Sequence, residues 1–204
     1  MSKANAMSDP ANTITGNSFS EILTGTSRND RIIPNGGNDT IYGNSGDDQI
    51  NGYISATADG SSFSTDLWSK DWYKSTTKLA WVTWSSSDPL LIYGGTGNDF
   101  IVGGQSDDTI FGDSGNDVLI GGAGNDEING GIGEDFIMGR EGNDILMGGD
   151  GDDKLSGGDG TDLLRGGDGN DRLISGNGND TIYGDGGDDE INGYLTNPAD
   201  PESN

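Results

Sequence analysis

The large aliphatic residues of this chain recur with a period of nine. From Gly94 to Asn192 the sequence divides without a gap into eleven units: GGTGNDFIV, GGQSDDTIF, GDSGNDVLI, GGAGNDEIN, GGIGEDFIM, GREGNDILM, GGDGDDKLS, GGDGTDLLR, GGDGNDRLI, SGNGNDTIY and GDGGDDEIN. A shorter array precedes them: GTSRNDRII from Gly25, PNGGNDTIY from Pro34 and GNSGDDQIN from Gly43, with a worn unit, GNSFSEILT, starting at Gly16. The eighth residue of every intact unit is Ile or Leu: Ile32, Ile41, Ile50, Ile101, Ile110, Leu119, Ile128, Ile137, Leu146, Leu155, Leu164, Leu173, Ile182 and Ile191. Self-similarity at a fixed period marks a stacked repeat architecture. Two or three glycines in the first six positions disfavour helix, and Gly and Asn supply the positive-φ positions of a tight turn. The last three residues are predicted to form a short strand whose middle side chain points inward. One unit is then a turn plus a strand, and two units make one coil. Coils stack as parallel strands about 4.8 Å apart, and their aliphatic files meet in a narrow core.

The sixth position is as regular as the eighth. It is Asp30, Asp39, Asp48, Asp99, Asp108, Asp117, Asp126, Asp135, Asp144, Asp153, Asp162, Asp171, Asp180 and Asp189, with Glu21 in the worn unit. Stacked turns would set these carboxylates above one another, an arrangement that is repulsive without a cation. A single file of Ile/Leu per sheet buries too little to overcome it. An ion between two stacked turns could take carboxylates from both, together with turn carbonyls, and so reach the 6–8 oxygens that Ca²⁺ prefers. The eleven unbroken units place six turns on one edge and five on the other. One ion per stacked pair gives roughly nine sites there, with one or two more in the short array.

Composition narrows the chemistry further. Asp and Glu number 35 against 10 Lys and Arg, for a net charge of -25, and 38 of 204 residues are Gly. Such charge repels nucleic-acid phosphate and anionic membrane surfaces. No stretch approaches the roughly 20 apolar residues of a membrane span. Cys and His are both absent. That removes disulfides, thiolate sites, the commonest general base and the usual transition-metal ligand. Carboxylate and backbone oxygens remain, a donor set for hard cations. No nucleophile–base arrangement is visible and the Asp residues already have a ligand role, so the chain is not expected to be an enzyme.

The repeat resembles the RTX, or hemolysin-type, nonapeptide motif G-G-x-G-x-D-x-U-x, where U is a large aliphatic residue. The resemblance covers Gly25–Asn51 and Gly94–Asn192. It implies an all-β fold, a parallel β-roll or right-handed β-helix-like solenoid, with Ca²⁺ held at the turns. It also implies an extracellular protein exported by a type I system, unfolded in the low-calcium cytosol and folded outside. Arg28 and Ser106 depart from the motif at the fourth position, Arg140 at the second, and Pro34 and Ser175 at the first. Those turns are expected to bind more weakly. The family's C-terminal secretion signal is not apparent in the closing TNPADPESN. Thr40–Ile54 matches Thr181–Leu195 at 11 of 15 positions, which suggests a piece of a longer protein in which larger units recur.

The expected division is a flexible leader at 1–15, a short array at 16–52, an insert at 53–93, the main roll at 94–192 and a polar tail at 193–204. The insert breaks the period. It holds all four tryptophans, Trp68, Trp72, Trp81 and Trp84, with Phe63, Tyr73 and three lysines, Lys70, Lys74 and Lys78. Its aromatics are expected to pack on an end or side of the roll. The alternative is a surface on which a polysaccharide or cell-surface glycan stacks. The leading function is therefore a calcium-binding structural and export module of a secreted protein. The alternative is a carbohydrate-binding or adhesin module, or an accessory module of a polysaccharide-modifying enzyme.

Overall fold

The computed structural model describes residues 12–34, 38–50 and 88–193. These form seventeen strands, with no helix among the described residues. They are β1 (Asn12–Thr15), β2 (Ile22–Thr24), β3 (Asp30–Ile33), β4 (Thr40–Ser45), β5 (Gln49–Ile50), β6 (Leu91–Thr96), β7 (Phe100–Gly104), β8 (Thr109–Ser114), β9 (Val118–Ala123), β10 (Glu127–Ile132), β11 (Phe136–Glu141), β12 (Ile145–Asp150), β13 (Lys154–Asp159), β14 (Leu163–Asp168), β15 (Arg172–Asn177), β16 (Thr181–Gly186) and β17 (Glu190–Asn192). The odd-numbered strands line up in order as a nine-stranded sheet, and the even-numbered strands as an eight-stranded one. Pairing is parallel and advances by eighteen residues, as in Ile110↔Ile128↔Leu146. Two nine-residue units thus complete a coil, and the all-β parallel roll expected from the repeat is the fold found, with about eight coils.

The eighth-position residues form the core. Ile32, Ile41, Ile50, Ile92, Ile101, Ile110, Leu119, Ile128, Ile137, Leu146, Leu155, Leu164 and Leu173 are fully buried in one cluster between the sheets. Ile182 packs partly against it, while Ile191 in the last coil is exposed. One such side chain contributes roughly 1.5–3 kcal/mol and must serve nine residues of ordered backbone, each costing chain entropy.

The strands are longer than the three residues read from the sequence. Most run to six, through the first three positions of the following unit, as in Thr109–Ser114. The reason is the first-position glycine, which points inward beside the eighth-position side chain. Gly112 is buried in the alternating pattern of β8 just as Ile110 is. Having no side chain, it lets the extended backbone continue where the Asp carboxylate closes the end of the core. The turn proper is confined to positions four to six.

The two arrays are one roll. Strand β4 pairs with β6 through Ile41↔Ile92, and β5 pairs with β7 through Ile50↔Ile101. Leu90–Tyr93, within the span read as insert, belongs to this roll: Leu90 is 3% exposed and Ile92 0%. The unit is SSSDPLLIY, residues 85–93, which lacks every motif glycine and carries Leu90 in the sixth place. Likewise Asn12–Thr15, read as the end of a leader, forms β1 and pairs with β3. Trp68, Trp72, Trp81 and Trp84 lie outside the described residues.

The outer faces of the two sheets differ. On the eight-stranded sheet the ninth-position rings of Tyr42, Tyr93 and Phe111 stack as a ladder, at centroid spacings of 5.2 and 5.0 Å. Tyr183 and the seventh-position Ile22 and Ile145 on that face are exposed. On the nine-stranded sheet the corresponding outward positions include Phe100, Val102, Ile120, Phe136, Met138 and Ile174, and all are buried.

Candidate metal centre

The roll gathers the sixth-position residues into two columns, one along each edge. The column on the nine-stranded side runs Asp30, Asp48, Asp99, Asp117, Asp135, Asp153, Asp171 and Asp189. The other runs Glu21, Asp39, Leu90, Asp108, Asp126, Asp144, Asp162 and Asp180. Each column is stitched by one repeated hydrogen bond, in which the backbone N–H of a sixth residue donates to Oδ1 of the Asp one coil ahead. Asp99 donates to Asp117 at 2.8 Å, Asp117 to Asp135 at 2.8 Å and Asp135 to Asp153 at 2.8 Å. The stitch crosses the break in the repeat, because the Asp48 N–H reaches Asp99 at 2.6 Å. Leu90 keeps the donor, giving its N–H to Asp108 at 2.8 Å, but brings no carboxylate. Glu21 donates to Asp39 at 2.9 Å, and its own carboxylate accepts the Asn17 N–H at 2.7 Å. The worn unit is therefore a true half-coil of the roll.

Fifth-position side chains form a second, outer line with the opposite polarity. The Asn116 N–H donates to Asn98 Oδ1 one coil behind it at 2.7 Å, and the Glu134 N–H to Asn116 Oδ1 at 3.1 Å. The turns are otherwise glycine backbone in near contact. A Cβ on Gly115, whose φ is +144°, would lie 1.6 Å from the carbonyl oxygen of Gly97. The second position also takes positive φ, in Asn44, Asp113 and Asp185 as well as in glycines, and Arg140 is held there at +89°. Arg28 and Ser106, at the fourth position, are not among the positive-φ residues, so their turns follow a different path from the glycine turns.

The second oxygen of each carboxylate is the candidate ligand. In Asp39, Asp48, Asp99, Asp108, Asp117, Asp126, Asp135, Asp144, Asp153, Asp162 and Asp171, Oδ2 is buried and accepts no hydrogen bond. In Asp30 the buried oxygen without a partner is Oδ1, because Oδ2 takes the Thr26 N–H and hydroxyl. Asp180 and Asp189, in the last coil, are only half-buried. Except in Asp39, whose unit begins with Pro34, each of these Oδ2 atoms faces the gap left by the missing side chain of its first-position glycine. The point where a Cβ would stand on Gly130 lies 2.3 Å from Asp135 Oδ2 and 2.6 Å from the Gly148 carbonyl oxygen of the next coil. The same pairing recurs at Gly112, with Asp117 and Gly130, and at Gly148, with Asp153 and Gly166. Ser175 fits the same place, nearly buried.

Burial without a counter-charge pushes these carboxyls up. Desolvation is the largest cause, opposed by the backbone hydrogen bond and reinforced, except in Asp135, by nearby carboxylates. Asp117 is pushed up to about 9, Asp99, Asp126 and Asp153 to about 8, Asp48 and Asp108 to about 7, and Asp135, Asp144 and Asp162 to about 6. Asp39 and Asp171 are raised as well. A buried carboxylate oxygen with no donor costs free energy unless a proton or cation meets it. The donor set, carboxylate plus backbone carbonyl, suits a hard cation of calcium's size. Among the described residues no three acidic side chains converge on one point. An ion in these columns would therefore take backbone oxygens as part of its shell.

Stacked parallel coils with an aspartate column on each edge define a calcium-type β-roll. The chain matches the family described as the RTX calcium-binding nonapeptide repeat over residues 15–50, 91–119, 111–146, 129–164, 138–173 and 165–197. These matches span more than half of the chain, and it belongs to that family, whose repeats bind calcium. No match was found among curated proteins. Among the described residues no helix is long and apolar enough to cross a membrane.

Proposed function

We propose that this chain is a structural module of a secreted protein that folds when calcium enters its turns, with the sixth-position aspartates as the ligands. The observation that carries this reading is the row of buried carboxylate oxygens without donors, repeated along both edges. Without an ion each is a destabilising element in a fold whose core is one aliphatic file per sheet. With an ion each becomes part of a cross-link between coils. One ion per aspartate–aspartate step gives seven in the unbroken column and four in the other beyond Leu90, about eleven in all. Their charge would offset most of the net -25. The same dependence gives a rationale for export, since a chain that cannot fold at cytosolic calcium stays threadable and gains its structure outside the cell.

The test is far-UV circular dichroism during a calcium titration. The chain should be disordered in chelator and gain β signal cooperatively at roughly 0.1–1 mM calcium, the range of extracellular modules. Magnesium should substitute poorly, because it demands a smaller and stricter octahedron. Equal β signal in EDTA and in calcium would refute the proposal.

A further inference from the structure

The outer face of the nine-stranded sheet is buried to a degree that the roll's own coils do not explain. Strand alternation turns the seventh and ninth residues of a unit away from the core. On the eight-stranded sheet such residues meet solvent, with Ile22 at 72% and Tyr183 at 51% exposure. On the nine-stranded sheet Val102, Ile120 and Phe136 are 0% exposed and Phe100 is 1%. None of these four belongs to the aliphatic cluster between the sheets. They are neighbours in register: Phe100↔Val118↔Phe136 forms one row and Val102↔Ile120↔Met138 the next. Every described strand lies in one of the two sheets, so no described strand overlies these rows.

We propose that this face is a docking surface and that its occupant is the segment 51–87 of the same chain. Four stretches lie outside the described residues. Residues 1–11 contain no aromatic residue, 194–204 contain one, Tyr194, and 35–37 is three residues long. Segment 51–87 holds Phe63, Trp68, Trp72, Tyr73, Trp81 and Trp84, the large side chains that an apolar surface of this kind takes up. Its three lysines balance its three aspartates, so it is neutral in a chain of charge -25 and approaches the acidic roll without repulsion. Connectivity favours the same face. The segment departs from β5, whose partner in the nine-stranded sheet is β7, the strand that bears Phe100 and Val102. The five strand spacings from β5 to β15 amount to about 24 Å. A chain of 37 residues at up to about 3.3–3.6 Å per residue covers that distance out and back. Docking there assigns the aromatics to the roll itself and leaves them unavailable to an external sugar.

All four tryptophans lie in this segment, so fluorescence of the full calcium-loaded chain reports on it alone. Emission should be blue-shifted and shielded from acrylamide. Phe136→Lys should shift the emission red and raise quenching severalfold while the β signal in calcium persists. Should that variant fail to fold, the wild-type quenching and a second variant decide. Removing residues 52–84 joins Asn51 to Ser85 and restores the nine-residue period across the break. This variant should fold in calcium, bind an apolar dye and self-associate through the bared face. Solvent-like, freely quenched tryptophan in the calcium-loaded wild type would overturn the proposal. So would a shortened roll that stays monomeric and silent to the dye. A wild-type dimer whose emission ignores Phe136→Lys would assign the face to a second copy and equally overturn it.

Discussion

Replacing Asp135 by Asn separates the two roles a column carboxylate could have. The side-chain amide of the variant keeps an oxygen where Oδ1 accepts the Asp117 N–H at 2.8 Å, and it fills the same volume beside Gly130. It removes the charge at Oδ2. In the metal-free fold that charge is a liability, since the Asp135 carboxyl is pushed from 3.8 up to about 6, chiefly by burial. About two pK units correspond to roughly 3 kcal/mol of penalty for the ionised form at pH 8. In chelator, Asp135→Asn should therefore favour the folded state by up to that amount. With calcium the sign reverses. Losing one charged ligand should cost roughly 1.5–3 kcal/mol, the scale of a charge-assisted contact, at the sites on either side. The assay is circular dichroism at pH 8, read as the concentration of an excluded osmolyte needed to fold the EDTA-treated chain, and as the calcium midpoint without osmolyte. The osmolyte midpoint should fall and the calcium midpoint should rise. If the substitution weakened folding equally in both media, the carboxylate would be a structural acceptor and not a ligand.

Other outcomes follow from the same geometry. The raised carboxyls hold protons in the fold that the unfolded chain releases. Their contribution to the metal-free roll is complete below about pH 4 and lost as pH rises through about 6 to 9; in EDTA, β signal should grow on acidification, and one that fell would contradict this burial. At pH 7 calcium should displace protons from Asp99, Asp117, Asp126 and Asp153, measurable as acid release in weak buffer. Gly130→Ala should weaken the sites it adjoins and raise the calcium midpoint, because its Cβ would meet Asp135 Oδ2 at 2.3 Å and the Gly148 carbonyl oxygen at 2.6 Å, whereas Gly193→Ala meets nothing within 4 Å and should leave the calcium titration unchanged. Leu146→Ala, fully buried, should cost roughly 2–5 kcal/mol and raise the calcium midpoint, while Ile132→Ala, 60% exposed, should shift stability by less than about 0.5 kcal/mol.

The repeat was legible because every unit repeats the same two demands, an aliphatic side chain inward at position eight and a carboxylate at position six. The core file and the columns follow from those positions alone. What escaped the sequence was carried by residues that break the motif while keeping its backbone role. The unit SSSDPLLIY has neither the glycines nor the aspartate, yet Ile92 fills the core place and the Leu90 N–H makes the column's hydrogen bond. Its recovery required the partner strand, since only Ile41 on the preceding coil defines where Ile92 belongs. The six-residue strands were hidden for a related reason. Glycine is ordinarily read as turn, but here its missing side chain makes room for a neighbour's carboxylate in an extended segment. Which face of the roll would be covered was not legible. Phe100, Val102 and Phe136 sit at positions whose inward or outward sense is plain, but the period says nothing about what lies beyond them.

The pairing of β5 with β7, and of β4 with β6, has a consequence for how such a protein can grow. From Ile50 to Ile101 the chain advances 51 residues where an uninterrupted roll would use eighteen, and 33 is not a multiple of nine. The coils nonetheless resume in phase, because only strands are counted by the stack. A corner of this roll is thus a port: a splice whose length is not a multiple of nine is taken in there, and the scaffold downstream stays aligned as though nothing had been added.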